Sequence, residues 1–143
     1  MRVLALDHGT VRIGLALSDP TGSIAQPMGF WPAVPLDDFV VKLQALMREK
    51  EVEQIIVGMP RNMDGSYGAA AQKVEEFVAV LRKAVEVGIE LWDERLTSVQ
   101  ANRLLIDGGV RRDKRRQKVD ALAAAVLLQS YLDSKSWTSS GLS

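Results

Sequence analysis

Apolar positions recur along the chain with two different periods. Arg2–Leu6 is a basic start followed by VLAL, a short apolar run closed by Asp7. That is the pattern of a buried strand meeting solvent. His8-Gly9-Thr10 predicts a tight turn. Val11–Leu17, VRIGLAL, resumes the strand pattern, and Asp19-Pro20-Thr21-Gly22 closes it. Ser23–Met28 predicts a third strand. Pro27 carries no N–H, so this strand should end early or lie at a sheet edge. The period then lengthens. Leu36, Phe39, Val40, Leu43, Leu46 and Met47 mark one face of a helix near 36–50. Gln54–Gly58, QIIVG, predicts a buried strand, and a loop follows over 59–68. Val74, Phe77, Val78, Leu81 and Val85 mark a second helix, near 69–86, ended by Gly88. Ile89–Trp92 is another strand, and it too closes on acid, Asp93-Glu94.

Thr97 and Gln100 form a capping box for a third helix, with Leu104 and Leu105 turned inward and Gly108-Gly109 ending it. Val119, Leu122, Ala123, Val126 and Leu127 mark a last helix, with Asp120 in its first turn. From Ser134 the periodicity stops, so 1–133 reads as a single domain and 134–143 as a loose tail. The order is three strands, helix, strand, helix, strand, helix, helix. It predicts an α/β fold, a mixed sheet with helices packed on it.

Composition narrows the chemistry. The 143 residues suit one domain, and 47% apolar with 25% charged residues is ordinary for a globular chain. There is no cysteine and a single histidine, which excludes thiolate metal sites and argues against a histidine-rich zinc site. The first residues lack the form of a signal peptide, and no apolar run approaches the roughly 18 residues a membrane span needs. The expectation is a cytoplasmic protein with no membrane partner. Net charge is zero but unevenly placed. Residues 1–110 hold 11 basic and 15 acidic groups, whereas 111–143 hold 7 basic and 3 acidic. Six of those bases fall in RRDKRRQK at 111–118. Such a run fits the steering of a nucleic-acid backbone.

The two acidic strand ends are the main chemical signal. Functional groups in an open α/β sheet collect at the carboxyl ends of strands. Asp7 ends the first strand and Glu94 follows the strand at 89–92. Asp120 can join them if its helix crosses the strand ends. Converging carboxylates repel, at about 4 kcal/mol per pair at 4 Å and an effective dielectric near 20. A hard divalent cation removes that cost, and Mg²⁺ or Mn²⁺ suits such oxygen ligands. Two ions about 3.5–4 Å apart can activate water and stabilise the leaving oxygen in phosphodiester hydrolysis. Asp7, Glu94 and Asp120 are therefore the candidate catalytic and metal-ligating residues. Aspartates at turns and in first helical turns are also common structural devices.

Four segments resemble one family: LALDHGTVRIGLALSD at 4–19, IIVGMPRNMDGS at 55–66, DERLTS at 93–98 and KVDALAAAVLLQSYL at 118–132. On these the chain resembles the YqgF family of pre-16S rRNA nucleases, once called Holliday junction resolvases. The resemblance implies an RNase H-like fold, a five-stranded mixed sheet with helices on both faces. It implies a carboxylate triad falling on Asp7, Glu94 and Asp120. It also implies a metal-dependent nuclease in 5′-end maturation of precursor 16S rRNA, with that rRNA or the small ribosomal subunit precursor as partner. Ser98 stands where the family often has threonine, and a hydroxyl is retained.

Around the triad, Thr10 and Arg12 are candidate phosphate contacts, and Arg61 and Asn62 can bind a phosphate and a base or ribose edge. Arg95 either holds a phosphate or locks Glu94. Arg111, Arg112, Lys114, Arg115, Arg116 and Lys118 are the candidate backbone-steering bases. Gly9 is expected to let the backbone approach a phosphate or to take a positive φ, with plain turn geometry as the alternative. His8 reads as an exposed turn residue, with water orientation or RNA contact as the alternative. Trp92 reads as core. No interleaved aromatic pattern predicts a base-stacking platform.

Three other readings share these residues. Structured DNA can replace RNA as substrate, which would make the protein a Holliday junction resolvase; such enzymes usually work as symmetric dimers, so the chain is a monomer or a homodimer. A noncatalytic rRNA-binding assembly factor needs the basic run but no metal. DHGTVRIG at 7–14 also looks like the phosphate-binding hairpin of the sugar kinase, Hsp70 and actin superfamily, but those proteins close two such domains around a nucleotide and this chain has room for one.

Overall fold

Val3, Leu4, Ala5 and Leu6 are all buried, so the first strand is covered on both faces. A strand apolar throughout belongs in the middle of a sheet rather than at its edge. The computed structural model describes residues 1–60, 64, 66–93 and 122–135. It places β1 (Arg2–His8) between β2 (Arg12–Ser18) and β4 (Val52–Met59). β3 (Ala25–Pro32) lies outside β2, and β5 (Gly88–Asp93) lies outside β4. The five-stranded order is β3-β2-β1-β4-β5. β1, β2 and β3 pair antiparallel, whereas β4 and β5 run parallel to β1.

Side chains alternate between the two faces. On one face Leu4, Leu6, Ile13, Leu15, Ile55 and Val57 pack under α1 (Leu36–Lys50) and α2 (Ala69–Ala84). Asp37 and Asp38 in the first turn of α1, with Arg48 and Lys50 in its last, suit the helix dipole. On the other face Val3, Ala5, Ala16 and Ile56 pack against Ala124, Leu127, Leu128 and Tyr131 of the helix at 122–135. Gln129 ties that helix to the start of β3: it accepts from Ala25 N at 2.9 Å and donates to Ser23 O at 3.1 Å. Tyr131 meets Trp92 of β5 edge-on at 5.3 Å, so Trp92 is packing, as expected. Burial first, then the Glu90 carboxylate, pushes the Tyr131 phenol up to about 12.

Several boundaries differ from the sequence reading. β1 continues two residues past Leu6, so His8 is strand rather than turn. Gly88 opens β5 rather than ending α2, which stops at Ala84. The third strand does not end at Met28 but runs on to Pro32. Ala16 pairs with Pro27 while Leu15 pairs with Gly29, so Met28 is bulged out. Gly29 takes φ +85°, a conformation side chains rarely adopt. β3 is an edge strand of the sheet, where proline is tolerated because no further strand needs its N–H. The last helix runs through 135, past the Ser134 expected to open a loose tail. The helix expected from Thr97 and the remaining tail lie outside the described residues.

At the far end of β2, Ser18 is the one buried polar side chain among the described residues, 2% exposed. Its Oγ accepts from Val3 N at 2.8 Å, beside the register shift of β1 against β4 at Arg2/Val3. Ser18→Ala leaves that N–H buried without its acceptor. The expected loss is about 1–3 kcal/mol in urea unfolding. A loss below measurement error would show that water replaces the hydroxyl.

Candidate active site

Asp7 is the penultimate residue of β1 and is half-buried. Alternation puts it with Val3 and Ala5 on the face covered by the helix at 122–135. It pairs with Gly14 of β2. On its other side Leu6 pairs with Val57 of β4, which makes Gly58 the residue level with Asp7. Glycines therefore flank this carboxylate on both neighbouring strands. Gly58 in turn pairs with Trp92 of β5. Two strand spacings separate Asp7 from the end of β5, roughly 10 Å.

A cleft of about 330 Å³ opens here, lined by Asp7, Gly9, Thr10, Val11, Arg12 and Gly14. It unites three expected site residues: the carboxylate, a hydroxyl and a guanidinium. Arg12 lies over the Phe30 ring, its Cζ 4.9 Å from the centroid. The turn is closed by Gly9 N donating to Arg12 O at 3.0 Å. Gly9 does not take a positive φ; it is required because a Cβ there would stand 2.6 Å from Arg12 O. The geometry of the turn itself is thus the reason for this glycine.

His8 corrects a second expectation. It is half-buried and points to the opposite face, its ring 4.7 Å from that of Phe77 on α2. Phe77 meets Phe39 of α1 at 5.7 Å, which in turn meets Trp31 of β3. A second cleft, of about 500 Å³, lies on this side and shares Thr10 with the first. Burial, and then the charge of Lys73, lowers the His8 pKa below its ordinary value. The folded state therefore binds this proton less readily than the unfolded chain. Its stabilising contribution is present above about pH 6.5 and is lost as pH falls through the folded pKa. Urea midpoints should decline from pH 6.5 towards 5, and His8→Gln should flatten that decline. An unchanged slope in the variant would assign it to other groups.

Glu94 and Asp120 lie outside the described residues, as do Arg61, Asn62, Arg95, Arg111, Arg112, Lys114, Arg115, Arg116 and Lys118. β5 is described up to Asp93, the residue before Glu94, and the last helix from 122, two residues after Asp120. Among the described residues no three His, Cys, Asp or Glu form a metal-holding group. Nor is any helix among them long and apolar enough to cross a membrane. In the loop after β4, Asp64 accepts from Ser66 N at 2.9 Å and Ser66 Oγ at 2.6 Å, bonds that hold its carboxyl below the usual range. That is turn chemistry, as Asp-Gly suggests. Phe30 was not foreseen, since it lies beyond the expected end of its strand.

The family model and the sequence relatives point to one family. The family described as RuvX, Holliday junction resolvase, matches residues 1–134. A protein of Halothermothrix orenii named "Putative pre-16S rRNA nuclease" is 44% identical over 134 residues, covering 93% of this chain and 95% of its own. One of the same name from Geobacillus kaustophilus is 45% identical over 140 residues, covering 94% and 99%. Among solved structures, Thermus thermophilus RuvC in complex with a Holliday junction substrate superposes with a TM-score of 0.55. Its identity is 16%, with 94% of this chain and 95% of that one covered, a likeness of fold alone. With a sheet of RNase H-like order carrying Asp7 at its centre, and relatives this similar over more than nine-tenths of their length, the chain belongs to the YqgF/RuvX family.

Proposed function

We propose that this protein is a divalent-cation-dependent nuclease that hydrolyses a phosphodiester bond of precursor 16S rRNA during maturation of its 5′ end. The observation that carries this reading is the cleft at the end of β1, where Asp7, Thr10 and Arg12 share one wall. The reading is supported by family membership and by the names its relatives carry.

The donor set fits a hard cation. Asp7 brings carboxylate oxygen to a position flanked by glycines, the only histidine points to the other face, and there is no cysteine. Such a set selects Mg²⁺ or Mn²⁺ over softer metals. Asp7, Glu94 and Asp120 would hold the cation. When bound, it supplies water activation and stabilises charge on the leaving oxygen.

The chain's own residues hold the substrate. The Arg12 guanidinium neutralises and orients a phosphate, and the Thr10 hydroxyl donates to one of its oxygens. Arg61, Asn62 and Arg95 extend these contacts along the strand. The six bases between Arg111 and Lys118 draw the backbone in, giving affinity and salt dependence without sequence preference. The protein acts in the cytoplasm, on free precursor or the small ribosomal subunit precursor, as a monomer or homodimer.

Matched cleavage assays test this reading. Precursor 16S rRNA spanning the mature 5′ end and a four-way DNA junction are each incubated with wild type and Asp7→Asn in Mg²⁺, Mn²⁺ or EDTA. The expected result is metal-dependent cutting of the rRNA by wild type alone. Cutting of the junction only would make the protein a DNA resolvase. RNA binding with equal background cleavage in both proteins would make it a noncatalytic assembly factor.

A further inference from the structure

Phe30 is a large apolar side chain left 42% exposed on β3. It belongs to neither buried cluster, so the packing of the described core does not account for it. Its place in the sheet is informative. Gly14 pairs with Phe30 on one side and with Asp7 on the other. Paired residues present their side chains to the same face. Phe30, Gly14 and Asp7 thus form one row across β3, β2 and β1, and the middle member has no side chain. Two strand spacings put the outer members roughly 10 Å apart. That is comparable to the reach from a phosphate to the outer edge of its own base.

Arg12 joins the two ends. It stands two residues before Gly14 on β2, on the same face, and lines the cleft with Asp7. Its Cζ lies 4.9 Å from the Phe30 centroid. A guanidinium over an aromatic ring is attracted to its face, and its N–H groups are the donors that recognise a phosphate. Carboxylate, cation and exposed aromatic therefore follow one another along one face of the sheet. Sequence-tolerant holding of single-stranded nucleic acid uses this combination, cations for the backbone and aromatic planes for bases.

We propose that Phe30 is a base-stacking residue: it receives an unpaired nucleobase beside the scissile phosphate, while Arg12, held against the same ring, takes the phosphate of that nucleotide. The occupant is named by the nuclease reading above, on which this proposal rests. Stacking needs a base splayed out of a duplex, so the seat selects single-stranded substrate at this position.

A binding cycle in EDTA tests the proposal without requiring catalysis. Wild type, Phe30→Ala and Phe30→Tyr are titrated with labelled single-stranded RNA spanning the mature 5′ end, and with a series carrying one abasic site each. In wild type, one abasic position should weaken binding about 5- to 10-fold, the low end of a base–aromatic stack. Phe30→Ala should weaken the intact RNA by a similar factor and be indifferent to that abasic site, whereas Phe30→Tyr should behave as wild type. A merely structural side chain would not erase the penalty of one particular missing base. If every abasic penalty persists in Phe30→Ala, or if Phe30→Tyr binds as weakly as Phe30→Ala, the seat is wrong and the exposed ring serves another partner, such as a protein. Coupled binding without any metal-dependent cleavage would instead keep the seat and remove the nuclease.

Discussion

Asp7→Asn is expected to lower metal-dependent cleavage about 10³-fold or more while leaving RNA binding in EDTA intact. Asparagine keeps the shape of the side chain and one oxygen but removes the charge. A unit charge at about 4 Å, at an effective dielectric near 20, is worth about 4 kcal/mol, which corresponds to about 10³ in rate. The cation carries two charges, so this is the lower bound. Folding should change little. Asp7 sits in a row with glycines on either side rather than in either apolar cluster. Asparagine keeps the volume and one acceptor oxygen of this half-buried side chain, so the expected change in stability is about 1 kcal/mol or less. Single-turnover cleavage at saturating enzyme, beside a urea melt, reads both effects. Cleavage within tenfold of wild type would remove Asp7 from the metal site. Loss of cooperative unfolding would make it a structural carboxylate instead.

The prominence of Asp7 was legible because burial and exposure change at one residue. VLAL is buried throughout, and the next side chain is a carboxylate. The same local logic recovered α1, α2, β4 and β5 to within two residues at most boundaries. It failed where a local cue was offset by a neighbour. Pro27 usually ends a strand, yet the bulge at Met28 and the positive φ of Gly29 carry β3 on for another turn of the pleat and beyond. Phe30 was lost from view with it. His8 was misjudged for a related reason: Leu4, Leu6 and His8 share one face of β1, and the imidazole takes up the position above Phe77 that a further apolar residue would fill. Following the alternation two residues further would have found it. The row Phe30, Gly14, Asp7 was beyond any local reading, because strand order and register are fixed by pairings between distant segments. Strand-end placement made Asp7, Glu94 and Asp120 one candidate metal site, and family resemblance added the nuclease chemistry.

Gly9→Ala should disable the site without touching any candidate ligand. A Cβ at this position would stand 2.6 Å from Arg12 O, inside the 3.0 Å that real contacts respect. The obstacle is backbone, and Arg12 O already accepts from Gly9 N at 3.0 Å, so no flexible side chain can yield. The turn must open. The pair that closes it is His8 with Ile13, and Asp7 paired with Gly14 and Arg12 paired with Pro32 come next, so the movement is transmitted to the carboxylate, Thr10 and the guanidinium together. Overpacking of this kind costs about 1–3 kcal/mol of stability. Misplacement of reacting groups by about 1 Å costs about 10²-fold in rate, and that is the expected loss of cleavage. Ser18→Ala supplies the control, because it should lose comparable stability at the opposite end of β2, about 20 Å from the turn. Assayed at a temperature where both variants are folded, Ser18→Ala should cleave as wild type and Gly9→Ala should not. Equal activity in the two would mean that the turn relaxes without moving the cleft, and that Gly9 is needed for folding alone.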